Sequence, residues 1–139
     1  MKENLQSKQS GMRLVSNSAR EADSFPRDFS FLVFAGTYTE STSPEGERSE
    51  GIYVYRMSPE DGALTLIHVM RKIINPSFLA LHPGGQFLYA VNEVEQFNGQ
   101  PGGGVSAFSI DPQTGKLSST GEVTKVPMPV CIKIFYGRL

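Results

Sequence analysis

The sequence of 139 residues holds one cysteine, no tryptophan and no apolar run long enough to cross a bilayer as a helix. A lone Cys131 excludes an intrachain disulfide and a multi-cysteine metal site, and it suits a reducing, cytoplasmic setting. An excess of one charge is also missing. Thirteen Lys and Arg stand against 14 Asp and Glu, for a net charge of −1, and neither sign forms a long run. Such a chain offers no electrostatic footprint to a phosphate backbone or an anionic membrane, so neither nucleic acid nor membrane is expected as a partner. What is plentiful is glycine, proline, phenylalanine and tyrosine, at 14, nine, nine and five residues. That composition points to short strands joined by tight turns, an all-β class.

Residues 1–28 differ from the rest. Leu5, Met12, Leu14 and Val15 are scattered among Lys, Glu, Gln, Ser and Asn, too little apolar surface to offset the entropy of ordering a backbone. A disordered polar tail is expected there. No apolar core of a secretory signal is present, and although Arg13, Arg20 and the serines suit a transit peptide, Glu3, Glu21 and Asp23 do not.

From Phe29 onward short apolar runs alternate with turn residues. Strands are expected at 29–38 (FSFLVFAGTY), 52–57 (IYVYRM) and 64–70 (LTLIHVM), with a polar loop over 40–50 and a Ser-Pro-Glu-Asp-Gly turn at 58–62. Further strands follow at 76–81 and 87–91 around His82-Pro83-Gly84-Gly85, where glycine opens backbone angles closed to other residues. After a loop over 92–103 come 105–110, an Asp-Pro-Gln-Thr-Gly turn, 116–123, and a last apolar segment at 129–135.

Laying the chain over itself reveals a repeat of 53 residues. Gly51-Ile52 falls on Gly104-Val105, Pro59 on Pro112, Gly62 on Gly115, Leu64 on Leu117, Lys72 on Lys125 and Pro76 on Pro129. Phe31-Leu32-Val33 falls on Phe87-Leu88-Tyr89 at an offset of 56. A period near 50 residues with four short strands is the pattern of a β-propeller blade. On that reading residues 29–70 supply three strands of one blade, 76–123 a complete blade, and 129–135 the innermost strand of the next.

FLVFAGTYTE, GIYVYRMSPEDGALT, NPSFLALHPGGQFLYAVNE and GGVSAFSIDPQTGKLSSTGE, in that order, resemble the N-terminal part of the lactonase family of seven-bladed propellers. The resemblance runs from about Phe31 to Val123 and implies a partial propeller, about two four-stranded blades of an expected seven, in a chain that looks truncated. It implies hydrolysis of 6-phosphogluconolactone to 6-phosphogluconate, in the pentose phosphate pathway, with a sugar lactone as small-molecule partner. After Val123 the sequence departs from the family, and Cys131 falls where the family carries a histidine. The alternative is an inactive partial propeller or interaction module, whose open sheet edges invite self-association.

Lactone hydrolysis needs a base for water and donors for the developing oxyanion. In a propeller the start of each innermost strand and the end of the second share one mouth of the channel, which would gather Phe78, Asn92, Glu93 and Cys131. Glu93 is the candidate base or acceptor for a substrate hydroxyl, and Asn92 a candidate substrate ligand or turn former. His68, on an outermost strand, is expected at the surface or edge. His82 is expected to bond a backbone group in its turn, and Cys131 to be a small apolar core residue. Gly102-Gly103-Gly104 lacks the Gly-Lys-Ser/Thr ending of a phosphate loop, and no carboxylates or imidazoles have ligand spacing. Neither a metal nor another cofactor is expected.

Overall fold

A computed structural model describes residues 30–40, 48–97 and 99–138, so the tail expected over 1–28 and most of the loop over 40–50 lie outside the described residues. Those residues form nine strands and no helix: β1 Phe31–Ala35, β2 Gly51–Met57, β3 Leu64–Arg71, β4 Pro76–Leu81, β5 Phe87–Asn92, β6 Gln96–Phe97, β7 Gln100–Pro101, β8 Gly103–Ile110 and β9 Leu117–Val126. All pairings are antiparallel. The first sheet is ordered β1-β2-β3 and the second β4-β5-β8-β9, while β6 and β7 make a small hairpin inside the 92–103 segment. The molecule is a partial β-propeller of one three-stranded and one four-stranded blade.

Alternation along the strands builds the core. Phe34 stands opposite Val54 and Leu88 opposite Phe108, and opposed residues share a face. Ile52 and Val54 of the first sheet thus form one cluster with Leu88, Ala90, Phe108, Ile110 and Leu117 of the second, and Leu32, Phe34, Ile67, Met70 and Leu79 pack around them. Burying each large aliphatic side chain contributes roughly 1.5–3 kcal/mol. The opposite faces, carrying Tyr53 and Tyr55 on one sheet and Tyr89 and Val105 on the other, lie outside this cluster.

The repeat is visible atom by atom in the turns. Ser58 N–H donates to the Ala63 carbonyl at 2.9 Å and Gly62 N–H to the Ser58 carbonyl at 3.0 Å; 53 positions on, Asp111 N–H donates to Lys116 at 3.0 Å and Gly115 N–H to Asp111 at 2.7 Å. The side chain opening each turn has the same task. Ser58 Oγ accepts Glu60 N–H at 3.3 Å, and Asp111 Oδ1 accepts Gln113 N–H at 2.9 Å. Gly62 and Gly115 both have φ +72°, but only Gly115 is also crowded, since a Cβ there would sit 2.8 Å from Leu32 Cδ2. A bulge also recurs: Val54 faces His68 but Tyr55 faces Leu66, and Ser106 faces Val123 but Phe108 faces Ser119.

The pairing corrects one offset. Ala35 faces Tyr53, and Ala90 faces Ser106, which lies 53 positions beyond Tyr53. β1 therefore corresponds to β5 at an offset of 55, not 56. A slip of one residue moves a side chain to the other face of the sheet, so the true equivalent of Leu32 is Phe87, on the face turned away from the core. The offset of 55 also makes Tyr38 the equivalent of Glu93.

Residues 129–135, expected as a strand, are not one. A strand exists only by its ladder partners, and among the described residues this segment has none. The last strand of the second blade runs to Val126, beyond the expected 123, because the bulge leaves Thr124, Lys125 and Val126 opposite Val105, Gly104 and Gly103.

Candidate active site

The end of β1, the start of β4 and the end of β5 meet at one mouth of the sheets. Thr37 N–H donates to the Pro76 carbonyl at 3.0 Å, and a Cβ at Gly36 would be driven into that same oxygen, so glycine is what lets the first sheet's end approach β4. Asn75, buried and at φ +39°, ties the three ends together. Its Oδ1 accepts Thr39 N–H at 2.9 Å and Glu40 N–H at 2.8 Å, while its Nδ2 donates to the Glu93 carbonyl at 3.1 Å. Its own N–H donates to Thr39 Oγ1 at 2.9 Å, and its carbonyl accepts Glu93 N–H at 3.1 Å. Asparagine tolerates the left-handed region and carries both donor and acceptor, which few side chains combine.

This frame holds Glu93 between two hydroxyls. Ser77 Oγ donates to Glu93 Oε2 at 2.6 Å and Tyr38 Oη donates to the same oxygen at 2.8 Å. Both bonds favour the ionised carboxylate, so Ser77 first and Tyr38 second hold Glu93 below the usual carboxylate range. The reciprocal effect raises the Tyr38 phenol above its ordinary value, because ionisation would remove a donor and set a second anion beside Glu93. With both donors on Oε2, Oε1 is the oxygen a ligand can address. A cavity of about 190 Å³ is lined by Glu93, Val94, Glu95, Met128 and Val130.

Asn92, expected beside Glu93 as a substrate ligand or turn former, is turned inward and fully buried. Its Nδ2 donates to the Ile74 carbonyl at 2.8 Å and its Oδ1 accepts the Ser106 hydroxyl at 2.7 Å. The period-2 alternation explains this: Glu93 and Asn92 are neighbours in chain and opposites in direction. Cys131 is exposed rather than a core residue, and its neighbour Val130 lines the cavity instead. Phe78 is 40% exposed and stands opposite Val91, which is fully buried although outside the core cluster.

Among the histidines, His82 Nδ1 accepts Gly84 N–H at 3.0 Å, the turn role expected of it. His68 lies on β3, the edge strand of its sheet, one of the two positions expected for it, and is half-buried. It faces Val54 across the strands, and its Nε2 is buried without a hydrogen-bond partner among the described residues. The sequence reading missed Tyr38, Ser77 and Asn75. Only Tyr38 had a usable signal, its repeat equivalence to Glu93, and the misplaced offset concealed it.

A model of the lactonase family, described as a seven-bladed β-propeller, matches residues 32–134. The chain belongs to that family. It is 33% identical over 88 residues to a 6-phosphogluconolactonase of Bacillus subtilis and 34% identical over 85 residues to one of Formosa agariphila. Those alignments cover 63% and 61% of this chain but only 22% of each relative, so this lactonase-family chain spans under a quarter of their length. Among solved structures, a Bacteroides fragilis protein provisionally assigned that activity aligns over 73% of this chain and 25% of its own, at TM-score 0.57 and 30% identity. The periplasmic gluconolactonase of Pseudomonas aeruginosa aligns over 65% and 23%, at TM-score 0.51 and 34% identity.

Proposed function

We propose that this chain carries part of the substrate-binding mouth of a sugar-lactone hydrolase acting on 6-phosphogluconolactone. The observation that carries the reading is the Glu93 carboxylate, braced through Oε2 by Tyr38 and Ser77 and lining the cavity. A carboxylate whose pKa is lowered is a poor acceptor of a full proton and a good acceptor of hydrogen bonds. Glu93 therefore takes a sugar hydroxyl and orients the lactone, and the attacking water is activated elsewhere. The cavity's two carboxylates, Glu93 and Glu95, repel a phosphate, which places the hydroxyl-bearing ring at this mouth and the phosphate away from it.

Replacing Glu93 by Gln leaves a weaker, neutral acceptor. A hydrogen bond to a charged group contributes about 1.5–3 kcal/mol, so KM for the lactone rises about 10-fold to 100-fold while kcat changes little. A kcat loss with unchanged KM would instead make Glu93 the base. A second reading, a partial propeller without catalysis, is favoured by the cavity of about 190 Å³, below the roughly 300 Å³ at which small-molecule sites begin. The two readings separate on the 139-residue polypeptide itself: lactone opening no faster than the spontaneous rate supports the second.

A further inference from the structure

We infer that the space between the two blades, lined by Asn92 rather than Glu93, binds a small amphipathic organic anion, with an acid group at one end and an apolar body behind it. A cavity of about 440 Å³ lies there, within the roughly 300–1,000 Å³ of small-molecule sites. Both blades wall it. The first contributes the end of β3 and the crossover, from Met70 to Ile74, and the second contributes Phe108 of β8 with Ser119 and Val123 of β9.

Its charge is opposite to that of the mouth. The mouth cavity is lined by two carboxylates and no cation, whereas this one is lined by Arg71 and Lys72 and no carboxylate. Arg71 is engaged, because its Nη2 donates to Glu50 Oε2 at 2.8 Å. Lys72 has no ion-pair partner among the described residues. A further positive charge stands nearby: Val123, Thr124 and Lys125 pair regularly with Ser106, Val105 and Gly104, so Lys125 falls on the same face of β9 as the cavity-lining Val123.

Hydrogen-bond donors are also unspent here. The fully buried Asn92 gives one Nδ2 hydrogen to the Ile74 carbonyl at 2.8 Å. An amide nitrogen carries two, and the other has no acceptor among the described residues. The backbone N–H groups of Ile73 and Ile74 likewise donate to no group among the described residues, although Ile73 is buried. Buried donors are nearly always paired, so three of them on residues lining one cavity, beside an unpaired ammonium, call for acceptor oxygens on a ligand. Met70, Ile73, Phe108 and Val123 set the rest of its character. A bare phosphate leaves that apolar wall uncovered, and a sugar phosphate sets hydroxyls against it. A carboxylate on a short hydrocarbon body satisfies both halves.

Titration of the full polypeptide with hexanoate, followed by amide NMR, is expected to give saturable shifts at Ile73, Ile74 and the Asn92 side-chain NH2, with a Kd on the order of 1 mM. Hexan-1-ol, which has the body without the charge, and inorganic phosphate, which has charge without the body, should each bind about tenfold more weakly. Lys72→Asn removes the ammonium and keeps a residue type that tolerates the φ of +62° at this position; it should weaken hexanoate about tenfold and leave hexan-1-ol unchanged. Val123→Phe, at a 44% exposed position of β9, fills the cavity and should abolish binding of both at an unchanged melting temperature. Absence of saturable shifts at Ile73 and Ile74, hexan-1-ol or phosphate binding as tightly as hexanoate, or either variant binding hexanoate as the parent does, overturns the inference.

Discussion

The two crossovers that lead out of a finished blade share one backbone feature, a positive φ just before a proline, and differ in chemistry. In the first, Asn75 precedes Pro76 at φ +39°; in the second, Met128 precedes Pro129 at φ +44°. Asn75 is buried and holds Thr39, Glu40 and Glu93 at once, whereas Met128 is 67% exposed and lines the cavity beside Glu93. The first crossover leads into an inner strand with a partner, and the second into a segment that has no ladder partner among the described residues. The fold repeats the positive φ before proline, although Lys72 has left β3 where its equivalent Lys125 is still in β9. The polar hub that fastens one blade's mouth to the next depends on a single side chain.

Removing that hub is expected to have the largest effect. Asn75→Ala strips a partner from two N–H groups and one carbonyl and leaves a Cβ at positive φ. Unsatisfied buried groups cost about 1–3 kcal/mol each. Since Glu40 is exposed and can rehydrate, the expected loss is about 2–4 kcal/mol, read as a lowered urea midpoint at unchanged slope. Asn75→Gly keeps the backbone freedom and loses the same hydrogen bonds, so it separates the two contributions. If both variants melt within about 0.5 kcal/mol of the parent, the hub is decorative and the comparison fails.

The converse change sharpens it. Met128→Asn places the residue type that tolerates positive φ where a Met now stands, relieving a conformation that costs a non-glycine residue about 1–2 kcal/mol. Against the loss of partial Met packing, a net gain of about 0.5–1 kcal/mol is expected. Glu95, the equivalent of Glu40, then has an acceptor within the crossover, whereas Val94 N–H already donates to the Asn92 carbonyl at 3.1 Å. Increased hydrogen-exchange protection at the Glu95 amide would show the hub rebuilt. Stabilisation without that protection would assign the gain to the backbone alone.

How much of this could be read from the chain divides along the same line. Strand positions, the turns at 58–62 and 111–115 and the two-sheet architecture follow from features local in sequence, since Pro, Gly, Asp and Ser fix turn geometry within five residues. The repeat then supplies the pairing order without any knowledge of long-range contacts. The site does not follow this way. Tyr38, Ser77 and Glu93 meet only across the contact between the two sheets, where Thr37 bonds Pro76 and Asn75 ties Thr39 to Glu93, and nothing local marks Ser77 as different from the other serines. Asn92 shows the reverse side of this, because a polar residue at a strand end looks available in the sequence and alternation turns it inward. A one-residue error in placing β1 had the same origin: Phe31-Leu32-Val33 and Phe87-Leu88-Tyr89 match in hydrophobicity at either register, and only pairing to β2 and β8 distinguishes them.

The smallest expected effect concerns pH at the mouth, where the two equivalent positions Tyr38 and Glu93 bond to each other. The folded-state pKa of Glu93 is depressed, so its contribution to stability is fully present above the ordinary carboxylate value and is lost as pH falls through the depressed one. Tyr38 is raised, so its contribution is fully present below the ordinary phenol value and is lost as pH climbs through the raised one. The bond therefore has a window bounded by carboxylate titration at the acid end and phenol titration at the alkaline end. Tyr38→Phe removes the alkaline boundary and one of the two donors to Oε2. The Glu93 carboxyl should then titrate closer to its ordinary value, held down by Ser77 alone, as followed by the carboxyl carbon shift in NMR. Ser77→Ala should move that titration further than Tyr38→Phe, because the Ser77 bond is the shorter and the larger cause of the depression. The reverse ranking would mean that the exposed phenol, not the hydroxyl on β4, sets the charge on Glu93, and that the first blade governs a residue the second blade carries.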